Sequence, residues 1–133
     1  MELEDKVSLS KIRLETAKSC LDDAEILLNA ESYKSSANRS YYAVFHSMRA
    51  VLALDEIDSK KHSGVISEFR KLYIKTGIFE NEISKIIDKA FTVRTHSDYN
   101  DFYVISKEDT IKQFEQAKTM LETVEGYLLT IYN

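Results

Sequence analysis

The feature that most constrains the fold of this chain is the near absence of residues that break helices. Its 133 residues contain no proline and three glycines. Proline removes a backbone donor from a helix interior, and glycine costs conformational entropy there. Sheet-rich folds need such turn-forming residues at frequent intervals. The composition therefore predicts long uninterrupted helices, and the 30% share of charged residues suits helices with one solvated face.

Apolar residues recur at steps of three and four in five segments, which is the spacing of one helix face. The second segment is apolar on nearly every side from Tyr41 to Leu54, which is typical of a central helix. Short connections favour antiparallel neighbours. We expect one all-α domain over residues 1–133, an up-and-down antiparallel helical bundle of four long helices plus one shorter helix. The predicted helices cover 9–29, 33–54, 60–74, 80–96 and, after a cap at Ser106, the chain to 131.

Charge and composition limit the functions that the chain can have. The formal net charge of −4 argues against a broad basic surface for bulk nucleic-acid binding, but it permits a small basic cleft. Cys20 is the single cysteine, so no internal disulfide forms, and its apolar stripe predicts a buried, inert thiol. No signal peptide or membrane span is recognisable, which predicts a cytoplasmic protein. The three histidines lack the spacing of metal ligands, so we expect no metal and no cofactor.

The second helix carries two chemically reactive side chains on a face of small residues. Arg39 and His46 lie two turns apart, and Tyr42 follows Arg39 by three residues. The other members of the face are Ala43, Ala50 and Ala53. In one interpretation Arg39 pairs with an acidic neighbour and His46 is a core histidine with its hydrogen bonds satisfied. In the other, the two residues form a catalytic or ligand-binding pair.

The end of the fourth helix breaks its apolar pattern at Arg94, which stands where an inward-facing apolar residue is expected. Asp98 lies four residues later, within reach of an ion pair. His96 and Tyr99 lie close by, where the helix is expected to end. A guanidinium beside a polar and aromatic loop favours a phosphate or nucleotide site. The alternative is a structural clamp between Arg94 and Asp98 that holds the loop.

Three segments carry a resemblance to a known family. Residues 38–46, 61–69 and 94–99 are similar, in the same order and at similar spacing, to segments of the prokaryotic HEPN domain family. The resemblance implies a helical bundle that is often a homodimer and is commonly encoded beside a minimal nucleotidyltransferase in toxin–antitoxin or stress-response pairs. Catalytic members of that family are metal-independent RNases that use an arginine, four to six further residues and a histidine.

This chain departs from that catalytic pattern at the fourth helix. Tyr99, and not a histidine, stands five residues after Arg94, and His96 follows Arg94 by only two residues. Arg39 and His46 do have six residues between them, although in the second helix. If they act, His46 moves the proton of the RNA 2′-hydroxyl and Arg39 stabilises the charge on the phosphorane.

Three functions follow from these observations. The first is a HEPN module that binds RNA or a nucleotide and acts with a nucleotidyltransferase partner. In that case Tyr99 is also a candidate acceptor for the nucleotidyl group that the partner transfers. The second is a metal-independent RNase toxin that uses Arg39 and His46. The third is a structural dimerisation bundle without catalysis. The residues expected to bind the ligand are Arg94, Asp98, Tyr99, Tyr42 and His96.

Overall fold

The computed structural model describes residues 2–133, and no strand occurs within them. The predicted all-α bundle is therefore confirmed. A short 3₁₀ turn, Ala53–Asp55, continues the second helix, and a π-helical turn, Arg70–Ile74, continues the third. The five helices are α1 (Leu3–Asn29), α2 (Tyr33–Leu52), α3 (His62–Phe69), α4 (Asn81–Tyr99) and α5 (Lys107–Tyr132).

Helix α2 is the centre of the bundle, as its apolar pattern predicts, because it contacts each of the other four helices. Val44, Met48 and Val51 are at most 1% exposed. Ala43 and Ala50 are completely buried, and their small side chains allow a neighbouring helix to approach closely. The hydroxyl of Ser10 on α1 donates to the Ala50 carbonyl over 2.6 Å.

Contacts between distant residues give the directions of the helices. Ser10 meets Ala50, whereas Ser36 donates to the carbonyl of Ala24 over 2.7 Å, so α1 and α2 are antiparallel. Ser10 also lies 2.7 Å from the Tyr132 hydroxyl, and Lys18 pairs with Glu125, so α1 and α5 are antiparallel too. This pattern is the one that short connections between amphipathic helices predict.

Two helix ends differ from the prediction. Helix α1 begins at Leu3 rather than near residue 9, because nothing in that stretch breaks a helix and Glu4 and Asp5 favour a first turn. Helix α4 continues to Tyr99 rather than ending near residue 96. Asp98 therefore belongs to the last turn of the helix and is not part of the loop.

Several local predictions are confirmed. The Ser106 hydroxyl accepts a hydrogen bond from the Asp109 amide over 3.0 Å and so caps α5. Gly77 has φ of +80°, the left-handed conformation expected after the third helix. Cys20 is buried, and burial raises the pKa of its thiol. Ser32 precedes α2 as expected, but its side chain makes no capping hydrogen bond. Within residues 2–133, no helix is long and apolar enough to span a bilayer.

Candidate functional site

The Arg94 side chain lies against α2 and is 21% exposed. Its Nε atom lies 3.1 Å from Asp98 Oδ2, which is an ion pair, although the N–H is not aligned for a hydrogen bond. Its guanidinium carbon lies 5.2 Å from the centre of the Tyr41 ring. The predicted pairing of Arg94 with Asp98 is present, and it sets Arg94 against a buried aromatic ring instead of the following loop.

His62, the first residue of α3, completes a cluster around Arg94. Its Nδ1 atom lies 2.6 Å from the Tyr41 hydroxyl and 3.3 Å from Arg94 Nη1. A guanidinium only donates, so Nδ1 accepts, and the proton of the neutral ring is assigned to Nε2. The ring stacks on Phe45 with centroids 4.1 Å apart. Burial, followed by the charges of Arg94 and Arg49, lowers the pKa of His62.

The sequence did not single out Tyr41 or His62 as site residues. His62 follows Lys60 and Lys61, and a short charged run of this kind is usually only solvated. The signal that pointed to His62 was its place in segment 61–69 of the family resemblance. For Tyr41, burial raises the pKa to about 12, so the phenol is a hydrogen-bond donor at neutral pH.

A second cluster occupies the half-exposed face of α2, formed by Arg39, Tyr42, His46 and Arg49 at steps of three and four residues. The Arg39 guanidinium carbon lies 5.0 Å from the centre of the Tyr42 ring, and Arg39 Nη2 donates to Asn38 over 2.8 Å. The Tyr42 ring also lies 6.0 Å from that of His46. Tyr42 therefore contacts both members of the predicted pair, and no direct Arg39–His46 contact is seen among the described residues.

The structure bears on the interpretation in which Arg39 and His46 are structural. The alanines of the predicted stripe are buried, and Arg39, Tyr42 and His46 are partly buried. Over residues 2–133, Arg39 forms no ion pair with a carboxylate, so the expected acidic partner is not found. His46 Nδ1 instead lies 3.4 Å from Arg49 Nη1.

Burial and the surrounding positive charge together set the protonation state of His46. Burial, followed by the charges of Arg49, Arg39, Arg13 and His62, lowers its pKa to about 4. The ring is therefore uncharged at neutral pH, and the arginine beside Nδ1 places its proton on Nε2. An uncharged imidazole can accept a proton but cannot act as a general acid.

The two clusters meet where the His62 ring lies 5.9 Å from that of Tyr42. Together they form one surface, which we call the cationic band. Its members are Arg94, His62, Tyr42, Arg39, His46 and Arg49. Beside it, a cavity of about 330 Å³ between α2 and the end of α4 is lined by Arg39, Lys34 and Asp98, so one predicted residue from each of the two helices faces the same opening.

The structure does not bring the remaining two predicted residues, His96 and Tyr99, into contact with the described members of this surface. His96 is exposed, and its ring lies 5.5 Å from that of Tyr103. Tyr99, the last residue of α4, is 80% exposed. Among the described residues, no group of three or more side chains is arranged to hold a metal ion.

Comparison with known proteins identifies a family. The sequence model of the HEPN domain matches residues 10–127. A protein of Methanocaldococcus jannaschii named "Putative toxin MJ0142" is 35% identical over 130 residues, covering 98% of this chain and 88% of that protein. A UPF0332 protein of Thermotoga maritima is 34% identical over 82% of this chain and 83% of its own length. The crystal structure of an archaeal HEPN homologue matches with a TM-score of 0.62 at 16% identity, over 90% of this chain and 97% of that one.

Proposed function

Because this chain belongs to the HEPN domain family, we propose that it is a toxin-type module whose cationic band binds the phosphate groups of RNA or of a nucleotide. Two relatives bear the name "Putative toxin", which supports the toxin-type assignment. The observation that carries the proposal is the position of Arg94, which is held by Asp98 between the aromatic ring of Tyr41 and the imidazole of His62.

The chemistry of this cluster suits a phosphate. Arginine presents several donors in a rigid plane that matches the oxygens of a phosphate. The Nε–H of Arg94 is buried against Asp98, so a phosphate is bound by the terminal nitrogens of the guanidinium. Partial burial also strengthens the attraction between Arg94 and an anion, because water screens it less. The half-exposed Tyr42 ring beside Arg39 offers a surface on which a base can stack.

The binding proposal is tested by titrating a fluorescent single-stranded RNA dodecamer and, separately, ATP with three variants. Arg94→Ala is expected to weaken binding about tenfold or more, the usual worth of a charge-assisted contact. Lys61→Ala, in an exposed stretch, is expected to weaken it much less. Asp98→Asn removes the clamp but keeps the cation. Equal losses in Arg94→Ala and Asp98→Asn, or no loss in Arg94→Ala, contradict the proposal and favour a structural clamp.

A second candidate function, a metal-independent RNase, is favoured by the contact between a guanidinium and an uncharged imidazole. The structure offers Arg94 with His62, and the sequence spacing offers Arg39 with His46. For either histidine the donors that face Nδ1 must first turn away from it, and the freed lone pair then takes the proton of the 2′-hydroxyl while the 2′-oxygen attacks the adjacent phosphorus. The arginine stabilises the charge that develops on the phosphorane. The imidazolium then returns the proton to the 5′-oxygen as the bond from phosphorus to that oxygen breaks, and a 2′,3′-cyclic phosphate remains.

Cleavage in the presence of EDTA tests this candidate. His62→Ala and His46→Ala are assayed side by side, with circular dichroism as the control for folding. Loss of cleavage in one variant alone, with helicity intact, identifies the active pair. If wild-type protein leaves RNA intact under these conditions, the binding function stands without catalysis. If the protein neither binds nor cleaves RNA or nucleotide, a structural dimerisation bundle is the remaining function.

We further propose that the chain is one domain over residues 1–133, forms a homodimer and acts with a nucleotidyltransferase partner. The exposed hydroxyl of Tyr99 is accessible to such an enzyme. Incubation with a nucleotidyltransferase encoded beside the gene and with ATP is expected to raise the intact mass by one or more nucleotidyl groups. The increase should vanish in Tyr99→Phe and persist in Tyr103→Phe. An unchanged mass in the wild type, or an increase that survives Tyr99→Phe, contradicts this role.

A further inference from the structure

Arg49 of the cationic band shares a single carboxylate with a neighbouring arginine, Arg13. Arg13 on α1 is 7% exposed, and its Nη2 atom lies 3.4 Å from Asp58 Oδ2. Arg49 on α2 reaches the other oxygen of the same carboxylate, with Nη2 3.2 Å from Asp58 Oδ1. Two cations therefore face one anion, and at neutral pH this group of three carries a net positive charge.

The cations and the anion are held very differently. Arg13 also donates through Nη1 to the Arg49 carbonyl over 3.1 Å, so the backbone of α2 positions it independently of Asp58. Arg49 is further placed by His46. Asp58 lies in the connection between α2 and α3, and its side chain is 62% exposed. The two arginines are thus fixed on helices, whereas the carboxylate belongs to an exposed segment that water can reach.

We propose that Arg13 and Arg49 form a site for a terminal phosphate monoester, and that Asp58 occupies this site in the free protein and is displaced when the phosphate binds. A phosphate monoester carries up to two negative charges at neutral pH, whereas the carboxylate carries one. It therefore neutralises both arginines, which Asp58 alone does not. Phosphate and carboxylate also share the geometry that guanidinium donors recognise.

The site lies beside His46 and shares Arg49 with the cationic band, so this inference rests on the proposed function for the class of its ligand. It adds a preference that the Arg94 cluster does not supply. An RNA that ends in a phosphate is expected to bind more tightly than the same RNA that ends in a hydroxyl. The same group occurs at the 5′ end of RNA, at its 3′ end and on a free nucleotide.

The experiment compares one RNA dodecamer in three forms, with a 5′-phosphate, with a 3′-phosphate and with hydroxyls at both ends. AMP is titrated as well, because it carries the phosphate monoester on a free nucleotide. For wild type we expect one phosphorylated form to bind about fivefold tighter than the hydroxyl form, which is the worth of one partly exposed charge contact. Asp58→Asn should widen this preference, because no carboxylate has to be displaced. Arg49→Gln should abolish it. Asp22→Asn is the matched control for net charge, since Asp22 is exposed and lies nine residues along α1 from Arg13, about 13 Å away and on the opposite face.

The outcomes separate this inference from the proposed function. If RNA binding depends on Arg94 but shows no preference for a phosphorylated end, the phosphate site is wrong and the proposed function stands. If Asp58→Asn lowers the unfolding midpoint and leaves the preference unchanged, Asp58 is a tether for the connection and the inference is overturned. If the hydroxyl form fails to bind while AMP binds in an Arg49-dependent manner, the site stands and RNA binding through Arg94 is refuted.

Discussion

The protonation of His46 gives a quantitative test of the cationic band. In the folded chain its pKa is lowered to about 4, first by burial and then by Arg49 and the other nearby cations. In the unfolded chain the ring titrates near its ordinary value of 6.5. Because the folded state disfavours the proton, the neutral ring contributes its full share of stability above pH 6.5. That share is lost as the pH falls from 6.5 towards 4.

The size of the effect follows from the difference between the two pKa values. A difference between about 4 and 6.5 corresponds to about 3 kcal/mol in the free energy of unfolding. His46 is only half buried, and solvent screens its interaction with the arginines. We therefore expect about 1–2 kcal/mol of acid-dependent destabilisation from this residue.

Two measurements check this prediction. Imidazole C–H resonances followed by NMR from pH 3.5 to 8 give the pKa of His46 directly, with assignment by a His46→Asn variant. The asparagine amide keeps an oxygen near the position of Nδ1 and does not titrate. Between pH 7 and pH 4, the free energy of unfolding measured with urea should therefore fall by about 1–2 kcal/mol less in His46→Asn than in wild type. Arg49→Gln should raise the pKa above 4 but leave it below 6.5, because burial is the largest cause. A His46 resonance that titrates near 6.5 in the wild type would refute the buried, cation-surrounded position of the ring.

Four further predictions concern stability and assembly. Ser106→Ala removes the side-chain acceptor for the Asp109 amide at the start of α5, and urea unfolding should show a loss of about 1 kcal/mol. Gly77→Ala should also cost about 1 kcal/mol, because φ is +80° there and no neighbouring atom lies within 4 Å to add a steric cost. Gly126→Ala lies inside α5 in open space and should instead stabilise the chain by up to about 1 kcal/mol, so equal signs for the two glycines would contradict the reasoning. Light scattering should give about twice the chain mass of 15.4 kDa at micromolar concentration, whereas a clean monomer rules out the homodimer.

Much of the secondary structure follows from local properties of the sequence. The cap at Ser106, the left-handed Gly77 and the all-round apolar character of α2 were each predictable, because capping, backbone conformation and helix periodicity depend on residues a few positions apart. The ends of α1 and α4 were less predictable. A helix with no breaking residue near its end continues for as long as interactions stabilise its last turn. In α4 that interaction is the ion pair between Arg94 and Asp98.

The candidate site was predictable only in part. An inward-facing Arg94 and its pairing with Asp98 follow from positions on one helix, and both are present. The position of His62 does not follow from its own neighbourhood, which is a short charged run. Its ring reaches Arg94 across 32 positions of sequence because α3 packs on α2 above Phe45.

The sequence by itself determined the class of fold, the central helix and the side chains able to carry charge and protons. The tertiary structure decided which of those side chains meet. It brings His62 into contact with Arg94 and places Asp58 between Arg13 and Arg49. Arg39 and His46 do not meet: Arg39 lies against Tyr42, and His46 lies beside Arg49. The physical reason is that helix periodicity fixes the face on which a residue lies. The crossing of one helix over another, and the path of the connection between them, fix which faces come within hydrogen-bonding distance.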